Sequence, residues 1–177
     1  GLAPQGTTMK SARRRSREFA VQALYQWQLA DPSLADLETQ YAAADGFAQA
    51  NAPLFSALVS GVMKHAEGLR ERLQPHLDRP WAEVSPIEHA VMLIAAFELA
   101  HAPETPYRVI INEAIELAKS FGGTDGHKYV NGILDKFAAE VRADEIAFQA
   151  ANPSERKARV EKKAPSVVTK PRRIAKP

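Results

Sequence analysis

TPYRVIINEAIELAKSFGGTDGHKYVNGILDKFAAEVR, residues 105–142, carries two amphipathic patterns separated by a glycine-rich break. Tyr107, Ile110, Ile111, Ala114, Leu117, Ala118 and Phe121 recur at the three- and four-residue spacing of one helical face. Thr105 suits the cap of that helix, and Pro106 its first position, where a missing N–H costs nothing. Gly122 and Gly123 stop the pattern. Asp125 suits the cap of a second helix, whose apolar face is Val130, Ile133, Leu134, Phe137 and Val141. His127, Lys128 and Tyr129 fall in its first turn. Cations and aromatic rings beside a tight turn can meet a phosphate and stack an unpaired base, or they can form a solvated helix end.

The segments on the N-terminal side repeat the same grammar. Ser85-Pro86-Ile87-Glu88 has the form of a capping box with proline at the first position. Ile87, Ala90, Val91, Ile94 and Phe97 continue it as a helical face. Asp78-Arg79-Pro80-Trp81 marks the best boundary between two halves, about 11–78 and 81–142, with Trp81 expected to pack between them. An earlier helix begins near Pro53, with Gly68 expected to kink or divide it. Phe19, Ala20, Ala23, Leu24 and Trp27 give the face of the first helix, which follows Lys10, Arg13, Arg14, Arg15 and Arg17. Cations at a helix start oppose the backbone dipole, each by roughly 0.3–1 kcal/mol, so the cluster suggests an external anion. β-Branched residues sit in helical patterns rather than alternating ones. The expected class is therefore all-α: two small helical bundles packed together, preceded by a flexible leader over residues 1–10. Residues 143–177 are expected to be a mostly disordered basic tail, since the run from Ala151 is too poor in apolar side chains to offset its ordering entropy.

Composition narrows the chemistry. The 177 residues include no cysteine, which excludes disulfides, thiol catalysis and cysteine-bound zinc and fits a reducing compartment. The net charge is only +2, with the basic residues gathered at the ends. No apolar run approaches membrane-spanning length, so a soluble cytoplasmic protein is expected. There is no phosphate-binding loop, dinucleotide fingerprint or nucleophile elbow. The five histidines are scattered without a metal-binding pair, and Glu113 with Glu116 makes only a weak carboxylate pair. The chain is not expected to be an enzyme or to carry a metal or cofactor.

Three stretches carry a resemblance. RRRSREFAVQALYQWQL (13–29), PYRVIINEAIELAKSFG (106–122) and HKYVNGILDKF (127–137) closely resemble the NusB transcription antitermination family, in the same order along the chain. The resemblance implies an all-helical fold and a partner, NusE, which is also a small-subunit ribosomal protein. It implies binding of the pair to boxA, a short single-stranded RNA element in leaders of ribosomal RNA operons, and assembly on RNA polymerase with other Nus factors. By position, it places Arg13, Arg14 and Arg15 in an RNA-binding arm, Lys128 and Tyr129 on the RNA face with Asp125 beside them, and Tyr25 and Glu88 on the NusE side. One departure is Leu93, where the family often has arginine. Two other readings compete: the RNA-binding module of a ribosomal RNA methyltransferase, which would need cysteine and an α/β domain, and a purely structural helical adaptor.

Overall fold

The apolar run PIEHAVMLIAAFELAH forms the helix around which the others gather. A computed structural model describes residues 10–123 and 125–153. In chain order its helices are α1 (Ala12–Ala30), α2 (Leu34–Ala42), α3 (Ala52–Leu73), α4 (Pro86–His101), α5 (Tyr107–Phe121), α6 (Gly126–Val141) and α7 (Ala143–Ala151), with single 3-10 turns at Phe47–Gln49, Gln74–His76 and Trp81–Glu83. No strand occurs among the described residues. A helix apolar on every side must be surrounded. Accordingly α4 buries His89 through Ala96, Glu98 and Leu99, packing on α1, α3, α5 and α6. The α1–α3 group and the α4–α6 group thereby share one continuous core, with Phe55, Leu24, Leu37, Ile94, Leu134 and Phe137 among its fully buried side chains.

Local chemistry sets the helix ends. Ser11, Ser33, Asn51 and Ser85 each cap a helix by accepting a hydrogen bond from the backbone N–H three residues on. Trp81 does pack between the groups: its indole stacks on His89 of α4 with ring centroids 4.5 Å apart, and its N–H donates to the Arg70 carbonyl of α3 at 3.2 Å. Arg70 Nε donates to His89 Nε2 at 2.9 Å. Burial, then the Arg70 charge, pushes the His89 pKa down to about 4, so the ring is a neutral acceptor near neutral pH.

Four local expectations change. First, α3 runs unbroken through Gly68, because a Cβ there would meet open space while Ala66, Leu69 and Leu73 on the other face are buried. Second, α5 starts at Tyr107 with Pro106 as its cap residue, while Thr105 is buried in the preceding turn. Third, the capping box is half-made: Ser85 Oγ accepts from Glu88 N at 3.1 Å, but the Glu88 side chain reaches toward α6. Fourth, the helical domain does not end at residue 142.

Arg142 is buried and donates to the carbonyls of Leu99 at 2.8 Å, Ala102 at 2.9 Å and Thr105 at 3.0 Å, closing the C-terminus of α4 and the loop to α5. It also pairs with Glu145, whose other oxygen accepts from Tyr107 N at 2.9 Å and so caps α5. These two residues hold α7 in place, where a tail was expected to begin. The leader through residue 9, Thr124 and the tail from residue 154 lie outside the described residues.

One ion pair joins the two ends of the fold. Arg17 of α1 donates to Glu98 of α4 through Nε at 2.9 Å and a terminal nitrogen at 2.8 Å, and both side chains are only 3% exposed. Burial works against the Arg17 charge, yet Glu98's attraction and hydrogen bonds hold the guanidinium above its ordinary pKa. Breaking one partner strands the other. Glu98→Gln should therefore lower unfolding free energy by about 3–5 kcal/mol, and the Arg17→Met/Glu98→Leu pair should recover most of that loss. Urea melts of the three proteins give the comparison; a Glu98→Gln loss under 1 kcal/mol would contradict this role of the pair.

Candidate nucleic-acid interface

The arginine row at the start of α1 divides into two kinds. Arg14 sends Nε and a terminal nitrogen to the two oxygens of Glu113 on α5, at 3.0 and 2.8 Å, and Glu113 is buried. The hydrogen bonds it donates to Glu113 hold the Arg14 pKa up. Arg17 is buried on Glu98. Arg14 and Arg17 are three residues apart, hence neighbours on one face of the helix, and that face is bonded to the fold. Arg13 is exposed and Arg15 partly so, and among the described residues neither makes a side-chain hydrogen bond or ion pair. Partial burial, then the like charge of Arg17, lowers the Arg13 pKa. A bound anion would relieve that repulsion. Of the three arginines expected in an RNA arm, Arg13 and Arg15 remain available, and Arg14 is already engaged.

The second group lies at the turn between α5 and α6. Lys128 is exposed and only loosely paired with the exposed Asp125, at 3.6 Å. Tyr129 is half-buried, packed on the edge of the core, and its ring is not bare: the Arg79 guanidinium carbon lies 4.3 Å from its centroid. The Tyr129 hydroxyl is buried beside Asp78 without a partner at good hydrogen-bond geometry. Burial, then Asp78, raises its pKa. Arg79 is tied in turn to Asp78, Nε to Oδ1 at 2.8 Å.

Glu88 comes to the same place. A Cβ built on Gly126 would fall 2.1 Å from Glu88 Oε2, so the first residue of α6 must be glycine for the carboxylate to lie where it does. The hydrogen bond that Arg79 donates to Asp78 is the largest cause holding its pKa up, and the Glu88 carboxylate adds a small contribution. Glu88, Arg79, Tyr129 and the Asp125–Lys128 turn are thus one neighbourhood.

Tyr25 is 38% exposed on α1, one turn before Gln28, whose side chain donates to the Pro86 carbonyl at the start of α4 at 2.9 Å. Leu29 beside it is 61% exposed. Since Arg17 meets the far end of α4 and Gln28 its beginning, α1 and α4 run antiparallel. The Arg13–Arg15 segment and the end of α1 that meets the start of α4 are separated by about 20 Å of helix. The exposed flank of α5, with Asn112, Glu116 and Lys119, leads from the Arg14–Glu113 contact toward the turn. Leu93, the position at which the sequence departs from the resemblance, is 1% exposed in the core of α4; in this chain it is a packing residue.

Sequence reasoning missed Asp78 and Arg79, which it took only as a boundary. Nothing local could have tied them to Tyr129. It also read Glu113 beside Glu116, whereas its partner is Arg14. Among the described residues, no group of acidic residues and histidines has a metal-binding arrangement, and no helix is long and apolar enough to cross a membrane.

Comparisons with known proteins agree with one another. The model of the NusB family matches residues 14–139. The chain is 56% identical over 136 residues to the transcription antitermination protein NusB of Burkholderia lata, covering 77% of this chain and 94% of that protein. It is 52% identical over 138 residues to the protein of the same name from Dechloromonas aromatica, covering 78% of this chain and 85% of the relative. Among solved structures it is similar to T. maritima NusB, with a TM-score of 0.65 and 28% sequence identity over 75% of this chain and 94% of the other.

The contact between Gly126 and Glu88 gives a test with a change of sign. Gly126→Ala should cost the parent up to about 1 kcal/mol, because the half-buried Glu88 carboxylate must swing aside. In a Glu88→Ala background the same change should be neutral or stabilising by up to about 1 kcal/mol, since alanine is the better helix former. Denaturant melts of the four proteins measure both; equal effects in the two backgrounds would show that Glu88 does not occupy the turn.

Proposed function

The chain belongs to the NusB family, and on that premise we propose that it is a transcription antitermination protein that binds boxA single-stranded RNA together with NusE. In this reading the pair joins RNA polymerase and other Nus factors in the cytoplasm and prevents premature termination. The protein acts by binding, without catalysis. The observation that carries the RNA assignment is the division of the arginine row. Two guanidiniums are fixed to buried or nearly buried carboxylates, which positions the helix start. Arg13 and Arg15 are left facing outward at the positive end of the helix dipole, where an anion is the natural partner.

Phosphate contacts position an RNA but do not specify its sequence. Sequence reading then falls to the α5–α6 turn, where Lys128 offers a charge, Asp125 an acceptor for base edges, and Tyr129 an aromatic body. Roughly 14 Å of α5 separates the Arg14–Glu113 contact from the turn, a span that suits single-stranded binding modules, whose sites cover roughly 4–16 nucleotides. Few side chains are available to read bases, so a second protein completing the groove is physically sensible. The neighbourhood of Tyr25, exposed Leu29 and the start of α4 is the candidate NusE face. Glu88 lies between that face and the turn, where it would couple the two.

The test is a salt titration of binding to boxA RNA and a scrambled oligomer, with and without NusE. Each phosphate neutralised on a single strand contributes about −0.7 to the slope of log K against log salt. Arg13→Gln/Arg15→Gln should flatten the slope by up to about 1.4 and weaken both RNAs by similar factors. Arg14→Gln should mainly lower stability. NusE should raise the preference for boxA over the scrambled RNA. A parental slope in the double variant would remove the arm from the RNA site.

A further inference from the structure

Arg79 stands between solvent and the aromatic ring at the α5–α6 turn. Its carbon centre lies 4.3 Å from the Tyr129 centroid, within the range of a cation–π contact. Its edge is taken by Asp78, with Nε to Oδ1 at 2.8 Å and a terminal nitrogen to Oδ2 at 3.5 Å. Its side chain is nonetheless 39% exposed. The centre of the guanidinium lies over the Tyr129 ring, its edge is bonded to a carboxylate, and the side chain stays partly open to solvent.

The contact fixes what this arginine can do. A guanidinium whose charge is already matched by an adjacent carboxylate is a poor phosphate ligand, and Asp78 itself repels a phosphate brought close. A planar, weakly hydrated guanidinium held flat is a good surface for a nucleobase. The Tyr129 ring is half-buried and covered on the Arg79 side, and its hydroxyl is buried beside Asp78, so it is poorly placed to meet a base directly on that face. We propose that Arg79 is a further RNA-contacting residue: its guanidinium, backed by Tyr129 and oriented by Asp78, is the outer layer of a two-tier platform on which an unpaired base stacks. Tyr129 then acts through Arg79 as a positioning residue, and Asp78 does the same from the edge. The inference rests on the RNA-binding reading above and assigns the stacking surface within it.

The experiment uses the full chain with NusE and a boxA-type RNA carrying a fluorescent purine analogue, whose emission is quenched on stacking. Arg79→Lys keeps the charge and loses the plane. It should weaken binding roughly tenfold or more, in line with the loss of one stacked base, and relieve the quenching, while the salt slope stays parental. Arg79→Ala should do the same. Adding Tyr129→Ala to Arg79→Lys should cost little more, because the two layers serve one base. Thermal melts establish that each variant is folded, and Arg79 is exposed enough for both to fold.

Parental affinity and quenching in Arg79→Lys, with a slope flattened by about 0.7 in Arg79→Ala, would make Arg79 a phosphate ligand and overturn the proposal. Tighter binding by Arg79→Ala would overturn it in favour of direct stacking on Tyr129. Either result leaves RNA binding itself standing, as judged by the parent protein and by the Arg13/Arg15 variant. Failure of the parent to prefer boxA over scrambled RNA would overturn both.

Discussion

A fully buried arginine–glutamate pair is costly to build, because each charge gives up its hydration. The Arg17–Glu98 pair offsets that cost with two short parallel hydrogen bonds in a site sealed from water. Its geometric consequence matters more than its net energy. It fixes the start of α1 against the end of α4, and Arg14–Glu113 then fixes the same turn of α1 to α5. Three helices far apart in sequence are brought into register at one point. Arg13 and Arg15 are presented outward because their neighbours are pinned.

The opposite end of α4 is organised by a different device. Glu88 leaves its own capping box and lies against Gly126, where only glycine leaves it room. That brings the start of α4, the boundary turn at Asp78-Arg79 and the first turn of α6 into contact. α4 thus connects two candidate binding regions, a phosphate-facing helix start at one end and an aromatic–cation turn at the other. Arg142 closes the α4–α5 loop and, through Glu145, caps α5, so the α5 flank between the two regions has its N-terminal end fixed.

Much of this architecture was legible in the sequence where the signal is local. Helical periodicity located α5 and α6, the Ser85 cap located the start of α4, and the all-helical class followed. The misreadings share a cause. Gly68 looked like a break because glycine is a poor helix former, at about 1 kcal/mol relative to alanine. Packing of Leu69 and Leu73 on the buried face outweighs that cost. The α7 helix is short and its spaced apolar residues are mostly alanine; Ile146 packs on the edge of the core, and the polar hub of Arg142, Glu145 and Gln149 holds the helix in place. The partners of Arg14, Arg17 and Tyr129 lie in other helices or turns, and no periodicity encodes such pairings. Charge clustering correctly marked the arginine row as unusual. It could not tell which members face inward, because that depends on where Glu98 and Glu113 arrive in the folded chain.

In the proposed function one row of arginines serves two purposes, with Arg14 and Arg17 locked into the fold and Arg13 and Arg15 free to bind phosphate. Arginine side-chain NMR reads this directly, through exchange of each Nε–H with water in the free protein and on titration with single-stranded RNA. Arg17 and Arg14 should exchange slowly and be left unchanged by RNA, whereas Arg13 and Arg15 should exchange fast and slow down as RNA binds. Fast exchange at Arg17, or an RNA response at Arg14 with none at Arg13 and Arg15, would contradict that division.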